Sequence, residues 1–247
     1  MIKTVLKVSV VASLILSAGN AGISDGLVAH YEFEGNANDS SGNGNNGTEY
    51  GGVGYVDGVI GKAGSFDGMD NYISRNIDVS ETKYSVSVFF KTTSLDGGLF
   101  QVGDGELGVN GHDRHIYLSS GKVCTRVWSD ETICTGTKYD DNSWHNIVHK
   151  YDGTKQYIYV DGSLLATGSK GSSDFDWQTH ISIGFSQDAY NKYFNGLIDD
   201  LRIYNRALSD SEIKELYNLK NGTISSDNCN LSSKLDKYDF IDMVVDG

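Results

Sequence analysis

From Gly26 onward, apolar and polar residues alternate in short runs separated by turn-forming residues. In "LVAHYEF", Leu27, Ala29, Tyr31 and Phe33 fall on one side of an extended chain; in "SVSVFF", Val86, Val88 and Phe90 do the same. Successive strand side chains point to opposite faces, so a period of two predicts strands with one buried face. "HIYLSSGKVCTRVW" predicts two strands around a turn at residues 119–122. "HNIVHKYDGTKQYIYVDGSLLATG" predicts three more, joined at Asp152-Gly153 and Asp161-Gly162, because Asp-Gly is a favoured hairpin turn. "HISIGF" and "LIDDLRIYN" complete the series. Roughly a dozen short strands with turns between them indicate an all-β sandwich or barrel.

One stretch breaks to helical spacing. Ser209 is a good N-cap and Glu212, three residues on, completes a capping box ahead of Ile213, Leu216 and Tyr217. This predicts one short C-terminal helix lying against an end of the sandwich. Beyond Leu219 the strand-turn rhythm stops, and residues 220–247 read as a linker and a partly disordered tail. At the other end, "MIKTVLK" is a short basic start and "VSVVASLILS" an apolar run too short to span a bilayer. With the small residues of "AGNA", residues 1–21 read as a signal peptide. The alternative is a buried N-terminal strand or helix. The domain itself is then 22–219, exported to the cell surface, the periplasm or the medium, with no transmembrane segment.

Composition sharpens this picture. The chain has 30 Gly, 15 Tyr and no Pro, which suits a turn-rich all-β domain. Its net charge is −13, and removal of residues 1–21, which carry two Lys and no acid, takes it to −15. Such a surface does not bind nucleic acid or an anionic membrane by bulk electrostatics. Cys124 and Cys134 are equidistant from Ser129, so a hairpin turning there sets them opposite each other within disulfide range. Cys229 is left over, as a free thiol or an intermolecular link.

"LVAHYEFEGNANDSSGNGNNGT", "GKAGSFDGMDNYI", "WHNIVHKYDGTKQYIYVDGSLLATG" and "FNGLIDDLRIYNRALSDSEIKELY" occur in that order and together resemble the laminin G-like, concanavalin A-like family of secreted, mostly bacterial proteins. The resemblance runs from about Gly26 to Leu219. It implies a two-sheet antiparallel jelly-roll sandwich that binds carbohydrate or protein, often beside a calcium ion. Fold alone does not settle function.

Within "LIDDLRIYN", strict alternation puts Leu197, Asp199, Leu201 and Ile203 on one face, and Asp200 outward, near Arg202. A carboxylate on an apolar face must be hydrogen-bonded, neutralised or bound to a cation. Two readings follow. Asp199 either accepts backbone N–H groups and ties the chain ends together, or it ligates Ca²⁺, which takes six to eight oxygen ligands. Related jelly rolls often hold calcium where the loop after the first strand meets the last strand. Carried over, the resemblance implicates Asp39 and Asp199, with Asn43 as a weaker ligand, in a structural calcium site. A second acidic loop, Asp67 with Asp70 and Asn71, offers oxygens in a pattern that ordinary turns share.

An enzyme of this class would need paired carboxylates at a fixed separation. The Glu-x-Asp-x-Glu run of jelly-roll glucanases does not occur, and "YEFEG" offers only Glu32 and Glu34. "GHDRH" places His112, Asp113, Arg114 and His115 in a predicted loop, where binding is a commoner role than catalysis. His145 and His149 on one strand would stand ~13 Å apart, too far for one zinc. A sugar site combines aromatic platforms with planar polar groups. The candidates are Trp128, Trp177, Tyr190 and Tyr193, with Asp104, His112 and Arg114 and the nearby Gln187 and Asp188. The chain therefore reads as a non-catalytic carbohydrate-binding or adhesion module whose partner is a glycan or an extracellular protein.

Overall fold

The computed structural model describes residues 21–127, 131–170 and 178–222. Residues 1–20 and 223–247, Trp128, Trp177 and Cys229 lie outside the described residues. The described chain forms fifteen strands: β1 Leu27–Tyr31, β2 Thr48–Tyr50, β3 Gly54–Asp57, β4 Lys62–Asp67, β5 Tyr72–Asn76, β6 Tyr84–Lys91, β7 Gly97–Gly103, β8 His112–Ser119, β9 Lys122–Arg126, β10 Ile133–Lys138, β11 His145–Tyr151, β12 Lys155–Val160, β13 Ser163–Ser169, β14 His180–Ile183 and β15 Asn195–Tyr204. A helix, α1 Asp210–Asn218, follows β15.

All pairings between these strands are antiparallel. One sheet runs β13-β12-β11-β6-β15-β4-β3, with β1 also paired to β15; the other runs β10-β9-β8-β7-β14-β5-β2. The core lies between the sheets. Val86, Val88, Phe90, Ile147 and Ile158 point in from the first sheet, and Ile73, Phe100, Val102, Ile116 and Ile181 from the second. These are the inward members of the alternation seen in the sequence. Fully burying each such side chain stabilises the fold by ~1.5–3 kcal/mol. The result is the all-β concanavalin A-like jelly-roll sandwich that the resemblance implied.

The two outer faces differ. Val148, Tyr159 and Tyr204 on the outside of the eight-stranded sheet pack against Leu208, Ile213 and Leu216, so α1 covers that sheet's flank rather than an end of the sandwich. Its capping box is formed by Ser209 and Glu212, and Arg206 pairs with Glu212 beneath it. Among the described residues, no helix lies on the outer face of the seven-stranded sheet. There a small cluster of Tyr117, Cys124 and Ala189 marks where the loop after β14 lies across β8 and β9. The Cys124–Cys134 disulfide joins directly opposed residues of β9 and β10.

Strand β15 explains the two adjacent aspartates. Its first half, Asn195 to Ile198, pairs with β4, and its last residues, Leu201 to Tyr204, pair with β1. The change of partner falls at Asp199 and Asp200, where the pairing with β6 also slips and Asp200 takes a φ of 48°. This bulge shifts the alternation by one. Ile198, Leu201 and Ile203 share the core, whereas strict alternation had grouped Leu197 with Leu201. Asp200 lies on the side of the sheet away from the core, as expected, but is buried there; it accepts from Arg202 at 3.0 Å and contacts His30 Nε2 at 2.5 Å.

Candidate functional site

The gap between β1 and β4 on the edge of β15 draws three distant segments together. Asp199 comes from the bulge, Glu32 and Glu34 from the chain just beyond β1, and Ile60 from the turn between β3 and β4. With Asp200, Arg202 and Leu219 they line a cavity of about 200 Å³. Asp199 Oδ2 accepts the backbone N–H groups of Val59 and Ile60, both at 2.9 Å. Glu34 Oε1 accepts from Lys62 N at 2.9 Å. The turn wraps these carboxylates so closely that a Cβ on Gly58 would strike Asp199 Oδ2, and one on Gly61 would strike Glu34. Gly61 also sits at a φ of 63°.

Asp199 Oδ1 is fully buried and has no hydrogen-bond partner among the described residues. Burial pushes the Asp199 carboxyl up to about 7, with Asp200 adding to the effect and the Ile60 and Val59 N–H groups opposing it. To a hard divalent cation the cavity would offer four carboxylates and one unsatisfied buried acceptor, beside the cationic Arg202 that shares the lining. The residues that would hold it are Asp199 and Glu34, with Glu32 and Asp200 beside them.

Asp39 and Asn43 do not line this cavity. Asp39 Oδ1 accepts from His30 N and Ser41 N, and Oδ2 from Ser41 Oγ and Asn45 N. Partial burial acts upward on its carboxyl, but the hydrogen bonds from His30, Ser41 and Asn45 outweigh it and hold the group below the usual range. Asn43 donates from Nδ2 to the carbonyls of Leu27 and Val28. The loop at 38–47 thus caps the β1 edge with its own polar side chains. The 66–72 loop is likewise closed locally, with Asp67 accepting from Met69 N and Asn71 from Asp67 N.

The second site is the open outer face of the seven-stranded sheet. Alternation in β8 and β9 sends Ile116 and Val123 inward, and His115, Tyr117 and Arg126 outward. Two loops meet over them. The loop at 104–111, closed by Asp104 N donating to Gly111 O, brings Glu106 over Ser182. The loop from Phe185 to Phe194 brings Gln187, Asp188, Tyr190 and Tyr193. Gln187 is pinned between Gln101 and the Leu107 carbonyl.

On the β8–β9 side, Arg126 grips Asp188 through both Nε and Nη2, the latter at 2.6 Å from Oδ1. His112 Nδ1 lies 2.9 Å from His115 Nε2, and His115 Nδ1 lies 2.9 Å from Ser186 Oγ. Burial lowers both imidazole pKa values, that of His115 far below the usual range, so both rings are neutral at pH 7. On the β2–β5 side, Tyr50 stacks on Tyr72 with centroids 4.5 Å apart, and Tyr193 stands 6.3 Å from Tyr72. Tyr50 donates to Glu106 Oε1 at 2.6 Å. Burial first, then Glu106, pushes the Tyr72 hydroxyl up to about 12.

The structure thus collects His112, Asp104, Tyr190, Tyr193, Gln187 and Asp188 on one side of the sandwich. Tyr190 is 90 % exposed. Arg114 is not among them. It lies in β8 rather than a loop, where alternation with the outward His115 points it inward; it is fully buried, and its guanidinium pairs with Asp113 and Glu81. An internal ion pair of this kind cannot touch a ligand. Tyr50, Tyr72, Arg126 and Glu106 were not singled out from the sequence, and His115 was noted there only as part of the GHDRH run. The outward parity of β8 and β9 would have pointed to His115 and Arg126, but nothing local places Tyr50 beside Tyr193.

Comparison with known proteins agrees with this architecture. The family model described as concanavalin A-like lectin/glucanases superfamily matches residues 66–214. The chain belongs to that superfamily. Over 151 residues it is 29% identical to adhesion G-protein coupled receptor V1 of Danio rerio, covering 55% of this chain and 2% of the receptor. It thus corresponds to a very small part of that relative. Among solved structures, domain 4 of AbnA, a GH43 extracellular arabinanase from Geobacillus stearothermophilus in complex with arabinotriose, is 25% identical with a TM-score of 0.64, covering 77% of this chain and 98% of that one. The binding domain of Paraclostridial Mosquitocidal Protein 1 (19%, TM-score 0.65, 79% and 52%) and the receptor binding domain of botulinum neurotoxin type G (16%, TM-score 0.60, 78% and 51%) share the fold. Among the described residues, no helix is long and apolar enough to cross a membrane.

Proposed function

We propose that the protein is an exported, non-catalytic carbohydrate-binding module whose ligand rests on the outer face of the seven-stranded sheet. The observation that carries this reading is the pairing, on one face, of aromatic rings (Tyr50 and Tyr193, packed around the buried Tyr72) with planar polar groups (Arg126, Asp188, His112 and Gln187). Rings supply stacking area for the apolar face of a sugar, and the polar groups supply oriented hydrogen bonds. The likeness to a domain solved with arabinotriose supports a saccharide ligand. Asp188 is held by Arg126 and Glu106 by Tyr50, which favours recognition over acid-base work at these carboxylates. A structural Ca²⁺ belongs to the same proposal, held by Asp199 and Glu34 on the far edge of the molecule. It would neutralise the buried carboxylates and lock β1, the 58–62 turn and β15 together.

A glycan array in calcium and in EDTA tests this. Binding to a defined saccharide class is expected in both buffers, and Tyr50→Ala should weaken it by about tenfold, equivalent to ~1.4 kcal/mol of lost stacking. A blank array in both buffers would overturn the saccharide reading. The relative named as an adhesion receptor favours the second reading, a protein-binding adhesion domain, for which the exposed Tyr190 and Val109 would be the first contacts to test.

A further inference from the structure

His112, His115 and Asp188 present one ligating atom each within 4.8 Å of one another. We propose that these three side chains form a binding site for a borderline divalent transition ion of the Zn²⁺ or Co²⁺ class, separate from the oxygen-lined cavity at Asp199 and sharing His112 and Asp188 with the proposed saccharide face.

The donor geometry is the first argument. A tetrahedral ion with bonds of ~2.0–2.1 Å holds its donors about 3.3 Å apart. His112 Nδ1 and His115 Nε2 are 2.9 Å apart, His112 Nδ1 and Asp188 Oδ1 3.9 Å, and His115 Nε2 and Asp188 Oδ2 3.7 Å. The two Asp188 distances run to different carboxylate oxygens, so the carboxylate must turn to present one of them. With one atom from each side chain the donors lie within 4.8 Å of one another, and closing to the tetrahedral separation takes side-chain shifts of up to about 1.5 Å. Donor chemistry is the second: two imidazole nitrogens and one carboxylate select borderline metals over Ca²⁺ or Mg²⁺.

The supporting contacts are the third. His115 is fully buried, and its Nδ1 lies 2.9 Å from Ser186 Oγ, which fixes the ring and leaves Nε2 aimed at the other two donors. Asp188 is oriented by Arg126, which donates to both of its oxygens, with Nη2 at 2.6 Å from Oδ1. The His112 side chain is 27% exposed and that of Asp188 12%, so the ion would keep a coordination position open toward solvent. Three protein ligands and an open position describe a site that takes an exogenous oxygen ligand rather than a closed structural one.

The test is titration of the full-length protein with Co²⁺, in excess Ca²⁺ to saturate the oxygen-lined cavity. One equivalent should bind and give visible d–d bands, without the thiolate charge-transfer band that Cys229 would produce. Zn²⁺ should displace it. His112→Ala, at a part-exposed position, should weaken binding by more than about tenfold and Ser186→Ala by roughly tenfold, while Asp199→Asn leaves it unchanged. Far-ultraviolet circular dichroism identical to the parent's shows that each variant is folded. Absence of stoichiometric binding, equal affinity in His112→Ala, or a thiolate spectrum would each overturn the site.

Discussion

His149 projects from β11 into the core, where its ring is fully buried and meets Tyr84 edge-on at 5.3 Å. Burial lowers its pKa to about 3, with a Gln156 hydrogen bond acting upward and Lys170 acting downward. A histidine whose folded pKa lies below its unfolded value stabilises fully above the unfolded value and loses that stability as pH falls toward the folded one. The window here runs from about 6.5 down to about 3. At pH 5 the loss from this residue reaches about 2 kcal/mol. His115, also held neutral by burial, acts in the same direction. Asp199 acts oppositely: its raised pKa favours the folded state as pH falls from about 7. Comparing His149→Gln with its parent cancels that contribution. Urea midpoints between pH 7 and pH 5 should fall less in the variant, and equal slopes would refute the neutral buried imidazole. At this scale the sequence spoke unevenly. Asp199 was visible as an acid in an apolar pattern, but its face was not, because the bulge at Asp200 depends on the exchange of β4 for β1 along one edge. Arg114 misled because a stretch read as a loop is the start of β8: one place before the outward His115, it points into the core.

Elements were easier to read than residues. The β11–β12–β13 meander follows from two Asp-Gly turns, and α1 from a capping box that forms as predicted. The β9–β10 hairpin was legible because Cys124 and Cys134 lie symmetrically about its tip, and they are opposed in the ladder. Their disulfide closes a short loop, and in the chain-entropy model its removal costs about 3 kcal/mol. Cys124→Ala/Cys134→Ala should therefore lower the urea midpoint while leaving the far-ultraviolet spectrum unchanged; a midpoint within error of the parent would mean that the hairpin is held by its ladder and by β13 alone. What elements do not reveal is which outer face they cover. The moment of α1 predicts an apolar stripe, and only the assembled sheet shows that Val148, Tyr159 and Tyr204 receive it. Among the described residues no helix covers the opposite sheet face, and the tyrosine cluster and the His112–His115–Asp188 cluster both occur there.

Over the whole molecule, the ends of the domain meet at one place. β1 and β15 pair along the sheet, and Glu34, the 58–62 turn and Asp199 close around the same cavity. Contacts so far apart in sequence carry a large loop-closure cost, so an ion that bridges them stabilises the folded state without binding the unfolded one. At a Ca²⁺ concentration about 100 times its dissociation constant, the gain is ~2.7 kcal/mol. For a domain of this size that raises the melting temperature by roughly 5–10 °C. Calorimetry in calcium and in EDTA measures the shift, and Asp199→Asn should remove most of it. The companion variant separates two ligand sets. If the ion sits where Asp199 Oδ1 lacks a partner, Glu34→Gln should also abolish the calcium response, whereas Asp39→Asn, which only weakens the self-capped loop at 38–47, should lower both melting temperatures together and keep their difference. Loss of the difference in Asp39→Asn would return Asp39 to the ligand set, and an identical melting curve with and without chelator would remove calcium from the molecule.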